Sequence, residues 1–171
     1  MRQVRYSVAM SLDGYIAGPQ GESDWILMDP DIDFNALFAG IDTILMGRKT
    51  YEATQQPGSA GGMPGVQTYV FSRTLRPADF PGVIVADDPE ATLKALKASA
   101  GKNIWLFGGG SLFRSCLQLG LVDVVEIAMI PVLLGGGVPL LPPPATLAKL
   151  RLVNHRVYEK TGTVFLEYAV S

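Results

Sequence analysis

Between positions 4 and 10 the chain alternates apolar with more polar residues, the apolar ones being Val4, Tyr6, Val8 and Met10. A period of two is typical of a half-buried β-strand. Continuous apolar runs at Ile41–Met46 and Asn103–Phe107 predict buried strands of a parallel sheet. Shorter or later apolar runs predict three more strands, at Thr68–Phe71, Val83–Ala86 and Val122–Ile130.

Helix signals lie between these strands. Asp88-Pro89-Glu90 provides a cap, a first-turn proline and an acidic first turn for a helix that runs to Gly101. Ser111 is expected to cap a second helix, which ends at Gly120. A shorter helix is predicted from about Lys49.

A further short helix is predicted just before Gly40. Asp31 or Asp33 would cap it, because a side-chain oxygen at that position can accept from the first helical N–H groups. Its buried face would consist of Phe34, Leu37 and Phe38.

The C-terminal part reads as an antiparallel hairpin, since Arg151–Tyr158 and Thr163–Val170 alternate around Lys160-Thr161-Gly162. Gly and Pro residues in Gln56–Gly65 predict a mobile loop. About eight strands interleaved with four helices predict an α/β fold, a mostly parallel mixed sheet with an antiparallel edge. We expect one domain over residues 1–171.

Composition excludes several classes of function. Apolar residues make up 48% and charged residues 18% of the chain, and the net charge is −2, so a nucleic-acid partner is not expected. With one His and one Cys, no transition-metal cluster is expected. Cys116 lies in an apolar stretch and is interpreted as a buried filler. Without a signal peptide or an apolar run of membrane length, we expect a cytoplasmic protein with no membrane partner.

Two predicted strands end in glycine and lead directly into a helix. The segments are Ile44-Leu45-Met46-Gly47-Arg48-Lys49-Thr50 and Ile104-Trp105-Leu106-Phe107-Gly108-Gly109-Gly110-Ser111. Glycine lets a ligand approach the backbone, and the free N–H groups at a helix start favour an anion. One pyrophosphate could bridge both turns, although either turn alone is equally consistent with a tight connection. Arg73 follows a third strand end and is a further basic candidate.

These segments resemble a known superfamily. Met46-Gly47-Arg48-Lys49-Thr50-Tyr51-Glu52 is similar to the cofactor-binding segment of dihydrofolate reductases. Ser11-Leu12-Asp13-Gly14-Tyr15-Ile16-Ala17 resembles the first-strand segment of the riboflavin-biosynthesis reductase domain. The turn Phe107–Leu112 resembles both groups, and Val122-Asp123 with Ile130–Gly135 resembles the riboflavin side. The motifs come in the expected order from residue 4 to residue 170.

The resemblance implies a dihydrofolate reductase-like fold, with an eight-stranded mixed sheet and NADPH lying across the strand ends. Backbone groups for the nicotinamide carboxamide would come from Ala9 and Ile16. The pyrophosphate would be held on one side by Gly47, Lys49 and Thr50, and on the other by Gly108, Gly109, Gly110, Ser111 and Leu112. The 2′-phosphate would be received by Arg48, Ser72 and Arg73.

The sequence indicates less about the substrate than about the cofactor. Phe107 stands where the riboflavin-type reductase carries a glutamate, and Thr50–Gly58 lacks that family's Asp-Asp-Pro. A catalytic carboxylate could be Asp31, Asp29 or Asp13, yet Asp31 also suits a helix cap and Asp13 a turn. Trp25 could stack on a planar substrate or belong to the core.

We therefore expect an NADPH-dependent reductase of a small nitrogen heterocycle or a ribosylamino-pyrimidine. The alternatives are a dihydrofolate or pterin reductase, a non-catalytic NADPH-binding module, and an interaction protein whose turns bind nothing. A homodimer is also expected, with Val122–Ile130 or the glycine-rich loop after it near the contact. Val124, Ile127 and Met129 would be hard to cover within one small sheet, and the riboflavin-side resemblance implies a dimer.

Overall fold

The computed structural model describes residues 1–55 and 63–171. Within these residues the strands are β1 (Val4–Ser11), β2 (Tyr15–Ala17), β3 (Ile41–Gly47), β4 (Gln67–Phe71), β5 (Ile84–Ala86), β6 (Asn103–Gly108), β7 (Val124–Ile130), β8 (Val138–Pro139), β9 (Leu150–Tyr158) and β10 (Thr163–Val170). The α-helices are α1 (Phe34–Ala39), α2 (Arg48–Thr54), α3 (Pro89–Ala98) and α4 (Gly110–Gln118). A single 3-10 turn spans Pro77–Asp79.

Eight strands form one mixed sheet in the order β5-β4-β3-β6-β1-β7-β10-β9. Strands β5 to β7 in this order run parallel, whereas β10 is antiparallel to both β7 and β9. The predicted α/β sheet with an antiparallel C-terminal hairpin is confirmed. Strands β2 and β8 form a separate small sheet and were not predicted, because three and two residues are too short to show a period.

The two faces of the sheet are covered unequally. On one side, which we call the α4 face, Tyr6 of β1 and Leu106 of β6 are fully buried with side chains of α3 and α4. The ring of Phe113 stacks on Tyr6 with 3.8 Å between centroids. The other side, which we call the α1 face, carries Trp105 and Phe107 of β6 beside a smaller cluster of buried side chains. Successive side chains of a strand point to opposite faces of the sheet, and the larger core lies on the α4 face.

Helix α1 differs from its prediction in two ways. Asp33, and not Asp31, is its cap and accepts a hydrogen bond from the Ala36 N–H at 2.9 Å. No residue of α1 is buried, and Phe34 and Leu37 are 37% and 45% exposed, so the expected buried face is wrong. A helix of six residues is too short to cover the α1 face, and its apolar side chains remain accessible.

Other helix signals are partly corrected. Asp88 accepts from the Ala91 N–H and caps α3 as predicted. Helix α4 already begins at Gly110 with Gly109 as its N-cap, so Ser111 lies inside the first turn and is not the cap. The predicted loop Gln56–Gly65 falls largely at 56–62, outside the described residues.

Strand β7 lies between β1 and β10. Val124 and Ile127 are consequently buried within the single chain, and the expectation that this strand could not be covered is wrong for them. The homodimer itself stays a prediction. None of the helices in the described ranges is both long and apolar enough to cross a membrane.

Candidate active site

The two glycine turns lie side by side. Strands β3 and β6 are parallel neighbours, so their carboxyl ends reach the same edge of the sheet. A β-carbon on Gly47 would lie 3.9 Å from both the Gly108 carbonyl oxygen and the Gly109 nitrogen. A β-carbon on Gly109 would lie 3.3 Å from the Thr50 hydroxyl. The turns thus bring two backbones together with little space for side chains.

The glycines of the second turn have different tasks. Gly108 has a φ of +141°, a conformation that favours glycine. Gly109 precedes α4 without any side-chain cap, which leaves the first N–H groups of that helix free of a side-chain acceptor. At Gly110 a β-carbon would lie 2.8 Å from the Pro139 carbonyl oxygen. Gly110 therefore permits close packing of the segment 139–142 against the start of α4, whereas Gly109 faces Thr50 of α2.

The predicted 2′-phosphate residues lie beside the first turn. Strand β4 pairs with β3 so that Phe71 lies opposite Gly47, and Ser72 and Arg48 follow at neighbouring strand ends. The Arg48 guanidinium donates to Glu52 at 2.9 Å in an exposed pair. The Ser72 hydroxyl accepts from the N–H groups of Thr74 and Leu75 at 3.1 and 3.0 Å, so it also shapes its own turn.

The predicted nicotinamide residues lie on the other side of β6. Ala9 is near the end of β1 and pairs with Ala128 of β7. Ile16 belongs to β2, which pairs with β8. The carboxyl ends of β4, β3, β6 and β1 thus follow one another along a single edge and carry the predicted cofactor residues in that order.

Asp13 connects the first-strand segment to the loop after β7. Its carboxylate accepts from the Leu134 and Gly135 N–H groups at 3.1 and 2.7 Å, and from the Ser11 hydroxyl at 2.7 Å. The Ser11 hydrogen bond, with those of the two amides, lowers the pKa of Asp13 below its ordinary value. Asp13 is therefore held as an ionised acceptor.

Asp29 is buried and clasps the turn between β9 and β10. One of its carboxylate oxygens accepts from the Thr161 N–H at 3.1 Å and from the Thr161 hydroxyl at 2.9 Å, and the other accepts from the Asp31 N–H at 2.9 Å. Burial alone would raise the pKa of Asp29, but these hydrogen bonds outweigh it and the pKa is lowered. Asp31 itself is exposed and pairs with Lys160 at 2.7 Å.

The three predicted carboxylates therefore all have protein partners, and their catalytic assignment stays a prediction. Trp25 is half-buried and donates its indole N–H to the Glu22 carbonyl at 3.1 Å. It lies on the loop that leads to Asp29.

A series of aromatic rings was missed by the sequence reasoning. Phe34 and Phe38 stack along α1, Phe38 stacks on Trp105, and Trp105 meets Phe107 edge to face. The signal was present as spacings of four on a helix and two on a strand. These spacings indicate a buried core equally well, because no local sequence pattern shows how much of each ring the neighbouring elements cover.

A cavity of about 650 Å³ lies at the other end of the strands, between α3 and the starts of β3 and β4. Arg2 lines it, and its guanidinium already donates to Thr43, Ser99, Asp42 and the Lys102 carbonyl. Since these donors are engaged inside the fold, we assign no ligand to this cavity.

The order of the strands and the helices around them define a dihydrofolate reductase-like fold. The structure aligns with dihydrofolate reductase from Enterococcus faecalis complexed with NADP(H), with a TM-score of 0.73, 19% identity, and coverage of 99% of this chain and 96% of that one. The chain belongs to the RibD C-terminal domain family, whose model matches residues 2–164. The family resemblance seen in the sequence is confirmed.

Two further relatives cover nearly the whole chain. YyaP, an uncharacterized protein of Bacillus subtilis strain 168, is 36% identical over an alignment of 178 positions, which covers 98% of this chain and 94% of that protein. A crystal structure from Shewanella sp. PV-4, named provisionally as a riboflavin biosynthesis protein, has a TM-score of 0.83 and 25% identity. That alignment covers 100% of this chain and 99% of the other.

Proposed function

We propose that this chain is an NADPH-dependent reductase that transfers a hydride to a small nitrogen heterocycle. The observation that carries the proposal is the close approach of the glycine turn after β6 to the turn after β3 and to α2, since a β-carbon added at Gly109 would lie 3.3 Å from the Thr50 hydroxyl of α2. The start of α4 is uncapped at this place, and backbone N–H groups at a helix start favour a pyrophosphate. Membership of a reductase domain family supports the same reading.

The predicted cofactor residues would bind and orient NADPH. Gly47, Lys49 and Thr50 would hold one side of the pyrophosphate and Gly109 to Leu112 the other. Arg48 and Arg73, with Ser72, would receive the 2′-phosphate, for which a guanidinium fork is suited. Ala9 and Ile16 would fix the nicotinamide through backbone groups.

When bound, the reduced nicotinamide supplies a hydride to the carbon of a C=N bond, and the nitrogen takes one proton. Asp13 and Asp29 have lowered pKa values because they accept several hydrogen bonds, so they are poor proton donors at neutral pH. We therefore do not assign the proton to either of these two carboxylates. The protein's contribution is then placement of the two reactants.

A ribosylamino-pyrimidine, as in the riboflavin-type reductase, and a dihydrofolate or pterin are the acceptors that the family suggests. A second function, a non-catalytic NADPH-binding module, is favoured by the engagement of Asp13, Asp29 and Asp31 with protein groups. NADPH oxidation against a panel of these heterocycles separates the two functions.

The cofactor assignment is tested by titrating NADPH and NADH into the wild type and the Arg48→Ala, Arg73→Ala double variant. A charge-assisted contact contributes about 1.5–3 kcal/mol, so we expect about tenfold or greater preference for NADPH and its loss in the double variant. Arg151→Ala, on the exposed edge strand β9, is the control and should keep the preference. Equal affinities in the wild type contradict the assignment.

A further inference from the structure

The aromatic series on the α1 face is continuous from α1 to the glycine turn. Ring centroids are separated by 5.9 Å between Phe34 and Phe38, by 5.2 Å between Phe38 and Trp105, and by 4.9 Å between Trp105 and Phe107. Phe34 is 37% exposed and the other three are half-buried. We call these four residues the aromatic wall. Aromatic rings that only filled a core would be covered, so these rings have free edges or faces.

The wall ends where the proposed hydride transfer takes place. Phe107 directly precedes the Gly108–Gly110 turn, and Trp105 pairs with Arg5 of β1, which puts Ser7 and Ala9 on the same face of the sheet. Ala9 pairs in turn with Ala128 of β7. We call Ser7, Ala9 and Ala128, which have small side chains, the floor beside the wall. The Trp105 indole is fixed there because it donates to the Ser7 carbonyl at 3.0 Å.

Charges at the border of this floor disfavour a phosphate. Arg5 already pairs with two carboxylates, Glu126 at 2.6 Å and Glu167 at 2.7 Å. A substrate phosphate would compete with both carboxylates for this cation.

Arg156 shares the face but lies on β9. Strand pairing leads from Ala9 to Ala128, then to Phe165 and then to Arg156, so the backbones of Ala9 and Arg156 are three strand spacings or about 14 Å apart. The Arg156 guanidinium lies over the Tyr158 ring, 4.6 Å from its centroid.

We propose that the acceptor of the reductase proposed above is a planar, uncharged heterocycle without a phosphorylated sugar, and that Phe107 and Phe38 select it by ring stacking. The inference rests on the proposed function, since the wall borders the predicted nicotinamide position. It narrows the substrate class to flat bicyclic or monocyclic rings that carry a C=N bond. Phe107 is the specificity-determining residue because it lies both at the wall's inner end and next to the cofactor turn.

The test compares two probes by calorimetric titration in saturating NADP⁺, which has no hydride to transfer, so that binding is measured without turnover. The probes are 6-methyl-7,8-dihydropterin, which is flat and has no phosphate, and 5-amino-6-(5-phosphoribosylamino)uracil. We expect the dihydropterin to bind at least about tenfold more tightly. In Phe107→Leu and Phe38→Leu its Kd should rise about threefold to tenfold, the range of one aromatic pair. Phe107→Tyr and Phe38→Tyr keep a ring and should restore the wild-type Kd.

Failure of this proposal differs from failure of the proposed function. Tighter binding of the phosphoribosyl compound, no binding of the dihydropterin, or an unchanged Kd in both leucine variants overturns the proposal. The NADPH Kd, measured on the same preparations, should be equal in all variants and reports that they are folded. A wild-type protein that does not bind NADPH overturns the proposed function instead.

Discussion

Aspartates serve two different purposes near the predicted cofactor and substrate site, which we call the cleft. Asp33 caps α1 through a neighbour three residues away, whereas Asp13 and Asp29 accept from residues 121 and 132 positions away along the chain. Local capping follows from sequence spacing. Long-range partners do not, because they depend on how the loops meet in the folded sheet. The sequence could therefore name the carboxylates near the cleft but could not tell which of them hold loops.

The consecutive glycines Gly109 and Gly110 give a matched pair of substitutions. Gly109→Ala would place a methyl group 3.3 Å from the Thr50 hydroxyl, which narrows the space between the turns, so NADPH affinity should fall with little change in Tm. Gly110→Ala would place one 2.8 Å from a carbonyl oxygen, an overpacking that costs about 1–3 kcal/mol of stability.

Thermal melts and NADPH titrations of both alanine variants measure this difference. If Gly109→Ala lowers Tm but binds NADPH normally, the turn is a packing device and not a cofactor site. Gly110→Ala is the comparison for stability, and its Tm should fall more than that of Gly109→Ala because its methyl group meets the Pro139 carbonyl oxygen.

At the scale of elements, burial was predicted correctly for the long apolar runs of β3 and β6. It was predicted wrongly for helix α1, which borders the cleft. Strands β3 and β6 are each buried between neighbours, so their apolar runs are unambiguous. Helix α1 has an apolar pattern but no buried residue, because the α1 face is left open beside it. The same pattern thus describes a core helix or the rim of a binding cleft, and only the neighbouring layer decides.

The clasp between Asp29 and the β9–β10 turn makes stability depend on pH. The pKa of Asp29 is lowered in the folded chain, so its stabilising effect is present above the unfolded value of about 3.9 and is lost as pH falls through the lower folded value. Asp29→Asn should therefore lower Tm at neutral pH, and the gap from the wild type should narrow as pH falls below the unfolded value of about 3.9.

Thermal melts over this pH range test the clasp. Asp33→Asn is the matched control, since asparagine caps a helix about as well as aspartate, and its Tm should stay near the wild type throughout. A constant gap between wild type and Asp29→Asn at all pH values would contradict an ionised clasp.

At the scale of the molecule, the strand order separates two regions. The parallel strands bring the predicted cofactor residues to one edge of the sheet, while the antiparallel β10 and β9 extend it to a free side. The order could be expected from the resemblance, but the exposure of β9 could not. Its alternation predicted a half-buried strand, and the structure leaves Leu150, Leu152 and Val157 between 44% and 58% exposed.

We expect these side chains to be covered by a second copy of the chain. Leu150, Leu152 and Val157 pair with Val170, Tyr168 and Val164 of β10, so they share the α4 face. They form a mainly apolar strip along an edge strand, with His155 between Leu152 and Val157. Exposed edges with apolar strips are prone to pair with another chain, and the high mean hydropathy of +0.24 agrees with a covered surface. This moves the expected contact from β7 to β9 and β10.

Light scattering over about a hundredfold range of concentration should give a dimer mass for the wild type. Leu152→Glu places a charge in the strip and should shift the mass to a monomer, because burying a leucine contributes about 1.5–3 kcal/mol and two copies are lost per dimer. Leu147→Glu, at a residue that is 89% exposed and lies outside the strands, is the control and should remain dimeric. A wild-type monomer at every concentration, or a dimer that survives Leu152→Glu, would place the contact elsewhere or remove it.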